Sequence, residues 1–133
     1  MLLFTASSKQ LVLDTHNALR NKIALGKEPG FKSASKMMAL QWNDELAFIA
    51  SLNVRQCQML HDKCRNTFQF QIVGQNLGIS VKLAQQSSIG TCCGGDNFKN
   101  IGHFLQVVQD RAAFVGCSAS RYTVPNSPAS KLF

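Results

Sequence analysis

Three histidines, five cysteines and seven carboxylates carry the reactive chemistry of this 133-residue chain. His61 sits in Met59-Leu-His-Asp-Lys-Cys64. Gln75 follows in a Gly-Gln-Asn triplet, and His103 lies in Gly102-His-Phe-Leu-Gln-Val-Val108. Neutral imidazole is a common zinc ligand, with Zn–N near ~2.1 Å. Two imidazoles make a sparse set, because catalytic zinc usually takes three protein ligands and an open position. Gln75 is uncharged and a poor third ligand. On spacing alone, His61 and His103 read as polar members of a cleft or core. His16 falls on the apolar stripe of an amphipathic segment and reads as a hydrogen-bonded structural residue near Asn17 and Arg20.

Nucleophilic catalysis needs a Ser or Cys beside a His whose ring a third group orients. Ser80, Cys92 or Cys93 beside His103, with Asp62 or Asp96 as orienter, are the available sets. None sits in a Gly-x-Ser-x-Gly elbow. The expectation is a protein that is not an enzyme. A metal cluster of Cys92, Cys93 and His103 is conceivable but disfavoured. An odd cysteine count leaves at least one thiol unpaired within the chain. If 57–64 were one helix, the Cα atoms of Cys57 and Cys64 would lie ~10 Å apart, beyond the ~7 Å a disulfide spans. They pair with each other only if that helix ends near Leu60. Adjacent Cys92 and Cys93 bridge each other only with strain, so reactive thiols are expected.

Five cysteines are many for a cytosolic chain of this size and suit an oxidising compartment. Net charge is +7. The lysines and arginines are scattered, with no basic run and no interleaved aromatics, which argues against nucleic acid. The plain reading is a basic chain whose lysines and arginines face water, and an anionic surface is the sharper one. No apolar run approaches the ~18–20 residues a membrane helix needs. Met1–Ala6 is apolar but too short for a convincing signal peptide. Length and a 45% apolar share fit one domain with its own core.

These side chains must be positioned by helix, helix, strand, helix and strand, in that order. Ser7 or Ser8 can cap a first helix whose stripe is Val12, His16, Leu19 and Ile23, with Gly26 just past its end. Pro29-Gly30 marks a turn. Asn43 caps a second helix, with Asp44 and Glu45 in its first turn, running to about Leu60. Trp42 is placed to staple onto that turn. Phe68, Phe70 and Ile72 alternate with Gln69 and Gln71 as a half-buried strand, and Asn76–Val81 can continue into the sheet. Lys82–Asn100 reads as loop, long for a small domain. Phe104, Val107, Val108 and Ala112 have helical spacing. Ala113–Val124 reads as a strand ended by Pro125, and 123–133 as a disordered tail. The order suggests an α+β fold, helices packed on a mixed sheet.

Six segments in this order carry a resemblance: His16–Arg20, Met37–Ala50, Cys57–Thr67, Gly74–Gly78, Gly102–Val108 and Val115–Cys117. Over residues 7–122 the chain resembles the CAP superfamily of cysteine-rich secretory, antigen 5 and pathogenesis-related proteins. The His-Asp-Lys-Cys-Arg-Asn-Thr and Gly-Gln-Asn-Leu-Gly segments look most like the insect antigen-5-like, venom-allergen-like branch. The resemblance implies a three-layer α-β-α sandwich and an extracellular, monomeric protein without accepted enzymatic activity. It implies partners that are extracellular proteins or sterols and other lipids. It also implies a cleft lined by two histidines, here His61 and His103, which could hold a weakly bound divalent ion such as zinc. The first acidic cleft position falls on Gln75. The second belongs to a Trp-x-x-Glu helix for which this chain has no counterpart, so the sandwich is expected to be incomplete. The resemblance places the partners of Cys57 and Cys64 before the first helix and that of Cys117 in a later Cys-Asn-Tyr segment. The chain contains neither, and is expected to be a shortened or alternatively spliced member. Ile79, Val81, Leu83 and Ile89 could line a lipid groove or belong to the core. Metal-assisted hydrolysis by His61 and His103, and a non-functional isoform, are the alternatives to a secreted binding protein.

Overall fold

A computed structural model describes residues 4–78, 80–82, 104–123 and 130–132. Helix α1 spans Ala6–Ala24. Its cap is Thr5, not Ser7 or Ser8: the threonine hydroxyl accepts from Ser8 N at 3.3 Å, and both serines fall inside the first turn. The C-terminus ends as the glycine predicts. Gly26 adopts φ +65°, Gly26 N donates to Ile23 O and Lys27 N to Lys22 O, both at 2.9 Å. That is the paired bonding of a Schellman end.

The inward face of α1 is a clamp. Asn17 pairs with the Leu40 backbone in both directions, at 3.0 and 2.7 Å. Arg20, only 1% exposed, gives every polar hydrogen to backbone. Its Nε and one terminal nitrogen reach Met38 O at 3.0 and 2.6 Å. The remaining bonds go to Val107 O, Gln109 O and Ala112 O at 2.8–3.0 Å. Burial pulls the guanidinium below its ordinary pKa, and the charge of Asp110 works the other way. A buried cation is tolerable because each N–H has a carbonyl partner.

This clamp sets the geometry around it. Strand β1, Gln41–Trp42, runs parallel to β3, Phe114–Val115, in register Gln41 with Phe114. Gln41 N to Ala113 O and Asn43 N to Val115 O, both 2.9 Å, extend the pairing. Helix α2, Asp44–Val54, follows directly, and the Asn43 side chain accepts from Leu46 N at 3.0 Å, as the sequence predicts. Gly116 lies beneath that first turn; a Cβ there would overlap Ala47 N, Leu46 C and Asn43 O. Trp42 reaches the first turn of α2 through its indole N–H. It stacks on Phe4 with centroids 5.7 Å apart and donates to Asp44 Oδ1 at 2.9 Å. Lys9 sits over the same ring and bonds Asp44 Oδ1 at 2.7 Å. The Lys9 hydrogen bond, then that of Trp42, holds the Asp44 carboxyl below its usual range.

Several expected elements differ. Helix α2 stops at Val54 rather than near Leu60. Cys57 takes φ +53°, and Asn53 Nδ2 captures Leu60 O at 3.0 Å, folding the chain back. Phe68–Ile72 is no strand, and Phe68 and Ile72 are 99% and 97% exposed. Thr67 pins the segment into a turn instead (Thr67 N to Phe70 O, 2.7 Å; Phe70 N to Thr67 Oγ1, 3.0 Å). The helix expected through Ala112 is one turn at 104–107, and the chain beyond it turns its Val107, Gln109 and Ala112 carbonyls to Arg20. The expected Ala113–Val124 strand divides into β3 and β4, Arg121–Thr123. β4 and β2, Ser80–Lys82, each pair antiparallel with β5, Ser130–Leu132, so the tail contributes a central strand. The described strands thus form a parallel pair and an antiparallel trio, with helices elsewhere in the chain: an α+β fold. Ile23, Leu40, Val54 and Val108 are buried hydrophobic residues of the core. No described helix is long and apolar enough to cross a membrane.

Candidate functional site

The left-handed Cys57 and the Asn53–Leu60 bond redirect the chain so that His61 and Asp62 emerge beside residues 73–75. Gln75 locks the two segments. Its Nε2 donates to Asp62 Oδ2 at 2.6 Å, and its Oε1 accepts from Asp62 N at 3.1 Å. The carboxylate and the backbone N–H fix which end of the amide is oxygen. Gln75 Oε1 also lies 2.9 Å from His61 Nδ1. An oxygen can only accept, so Nδ1 carries a proton and, in the neutral ring, Nε2 keeps its lone pair. His61 is exposed. Of the three residues expected to line a cleft, His61 and Gln75 are in hydrogen-bond contact.

Asp62 is the member the spacing alone did not assign to Gln75. Its second oxygen accepts from Gln56 Nε2 at 3.1 Å. Burial pushes its pKa up, but hydrogen bonds from Asn53, Gln75 and Gln56 and the charge of Arg65 outweigh it, and the carboxyl titrates below its usual range. Arg65 spans the same two segments, reaching Asp62 O at 2.8 Å and Val73 O at 3.3 Å.

His103 lies outside the described residues, as do Cys92, Cys93, Asp96, Leu83, Ile89 and Ile79. The helical turn that follows His103 does approach the site: a Cβ on Gly74 would overlap the side chain of Gln106. A side chain at position 74 would therefore displace the end of Gln106. Among the described residues no group of three or more His, Cys, Asp or Glu converges. His16 is structural, its Nδ1 donating to Val12 O at 2.7 Å. Cys57 and Cys64 are free and exposed. Cys117 is half-buried and free, and burial pushes its thiol up to about 11, so little thiolate is present near neutrality. A separate open depression of about 610 Å³ is lined by Ser35, Lys36, Met37, Met38, Asp110 and Arg111, none of them in the His61 network.

A model of the CAP, cysteine-rich secretory protein family matches residues 13–127. Antigen 5 like allergen Cul n 1 of Culicoides nubeculosus is 40% identical over 92% of this chain and 66% of its own length. Venom allergen-1 of Aedes albopictus is 41% identical over 86% and 53%, and venom allergen 5 of Polybia paulista 39% over 89% and 67%. The chain thus spans about half to two thirds of the curated relatives it matches. The crystal structure of NaASP2 with Zn2+ superimposes with TM-score 0.65 at 20% identity, covering 97% of this chain and 78% of that one. Venom allergen-like protein 4 of Schistosoma mansoni superimposes with TM-score 0.55 at 16% identity, over 96% and 86%.

Proposed function

Because the chain belongs to the cysteine-rich secretory protein (CAP) family, among the antigen 5 and venom-allergen proteins, we propose that it is an extracellular, non-enzymatic binding protein. Its ligand is an extracellular protein or a sterol or other lipid, met at the face built on His61, Asp62 and Gln75. The observation that carries this reading is the amide at position 75. General acid–base catalysis needs a group that titrates near working pH. Gln75 has no such proton and Asp62 is held anionic by its amide donors, so the His61 imidazole has no acid partner in this network. The network orients an imidazole and presents polar atoms, which suits recognition. A fluorophosphonate probe on folded protein tests it. No residue should label specifically; heat-sensitive labelling of a single residue would contradict the reading.

The alternative is a metal-assisted hydrolase using His61 and His103. What favours it is the free Nε2 lone pair on His61, set by the Gln75 contact. Zn2+ is present in the NaASP2 structure. Here Gln75 Oε1 already accepts two hydrogen bonds and is spent as a ligand. The described donors do not make a zinc site by themselves, and no hydrolytic step is assigned. Zn2+ titration should broaden the ring resonances of His61 and His103 and spare His16 if an ion binds there. Equal effects on all three rings would remove the idea.

A further inference from the structure

The segment 66–72, Asn-Thr-Phe-Gln-Phe-Gln-Ile, carries no charge. Its ends are drawn together by Arg65, which bonds Val73 O on one side and Asp62 O on the other. Within it, Phe70 turns inward onto Phe114, ring centroids 5.5 Å apart. Its neighbours of the same parity, Phe68 and Ile72, turn outward and are 99% and 97% exposed. Two large apolar side chains standing bare at one tip are unusual on a soluble surface and mark contact with something apolar.

The loop's own hydrogen bonding says what that is. Thr67 N and Phe70 O bond each other, Phe70 N bonds Thr67 Oγ1, and Gln71 Nε2 donates to Thr67 O and Phe68 O at 3.1 and 3.2 Å. These bonds close part of the tip's polar groups on themselves, which lowers the cost of moving it from water to a lipid interface. Exposed Lys63 sits at the base of the loop, and the whole chain carries +7, which complements anionic headgroups. We propose that residues 66–72 form an interfacial anchor that dips Phe68 and Ile72 into the surface of an anionic phospholipid bilayer. Phe68 and Ile72 take no part in the His61–Asp62–Gln75 hydrogen bonds, although Arg65 at the loop's base also bonds Asp62 O.

Co-sedimentation with vesicles of phosphatidylcholine and phosphatidylserine in equal parts is the test. The unaltered chain should bind, and Phe68→Ser/Ile72→Ser should bind about tenfold more weakly, since two inserted side chains are lost. Both positions are solvent-facing, so the double variant should melt with the unaltered protein. Phe68→Trp, which keeps the tip apolar, should shift its emission to the blue when these vesicles are added. Equal binding by the double variant would mean general electrostatics and would overturn the anchor. So would an unshifted Phe68→Trp emission. A dimer abolished by the double variant would assign the tip to a second copy of the chain and overturn it as well.

Discussion

The polar networks around Arg20 and around Gln75 differ in reach and in exposure. The Arg20 network is enclosed. Its partners lie 18 to 92 residues away in sequence, and all of them are backbone carbonyls. The Gln75 network is open and local, joining residues 13 and 14 positions apart around an exposed imidazole. The difference separates scaffold from site. An enclosed cation fixes the spacing of α1, the 38–40 segment and 107–112. A solvent-facing amide aims one ring and leaves its outer nitrogen open.

The contrast can be broken most severely at the scaffold. Arg20→Ala should cost about 3–5 kcal/mol in denaturant unfolding, because buried carbonyls lose their only charged partner. A loss as small as that of a surface change would show that the clamp does not hold the fold. Gly116→Ala should cost about 1–3 kcal/mol, as the first turn of α2 must move off β3. Replacing the Asn43 cap by Ala should cost about 1 kcal/mol in the same assay.

At the site the effects are smaller and depend on pH. The Asp62 carboxyl has a folded-state pKa below its unfolded one. Its contribution is therefore full above the unfolded value of about 3.9 and is lost as pH falls through the folded value. Asp62→Asn should flatten the acid side of the stability profile and leave the alkaline side alone; a change confined to alkaline pH would reverse the assignment. The least conspicuous effect concerns thiols. Cys57 and Cys64 should alkylate before Cys117, whose thiolate fraction is about a hundredfold lower for a thiol raised from 9.0 to about 11. Peptide mass spectrometry over time reads the order.

Much of the scaffold was legible because its signals are local. Asn43 before two acids and Gly26 after an apolar stripe each have one physical use, and both have it here. The end of α2 was not legible, since its stripe runs on through Cys57 while a left-handed residue and the Asn53–Leu60 bond stop the helix. Alternation at 68–72 fits a strand, but it equally fits a turn that Thr67 closes on itself. β5 depends wholly on the strands beside it, and Ser-Lys-Leu announces nothing alone. At the site, the resemblance named His61 and Gln75, while the hydrogen bond between them is a feature of the folded chain. The brace from Asp62 needed coordinates, because nothing in the sequence says which way an amide will turn.

The orientation of that amide is what the account stands on, and nitrogen-15 NMR of the imidazole rings reads it directly. In mildly alkaline buffer His61 should be the Nδ1–H tautomer, and Gln75→Ala should release it while His16 keeps its own Nδ1–H bond to Val12. A His61 ring found protonated at Nε2 in the unaltered protein would contradict the account.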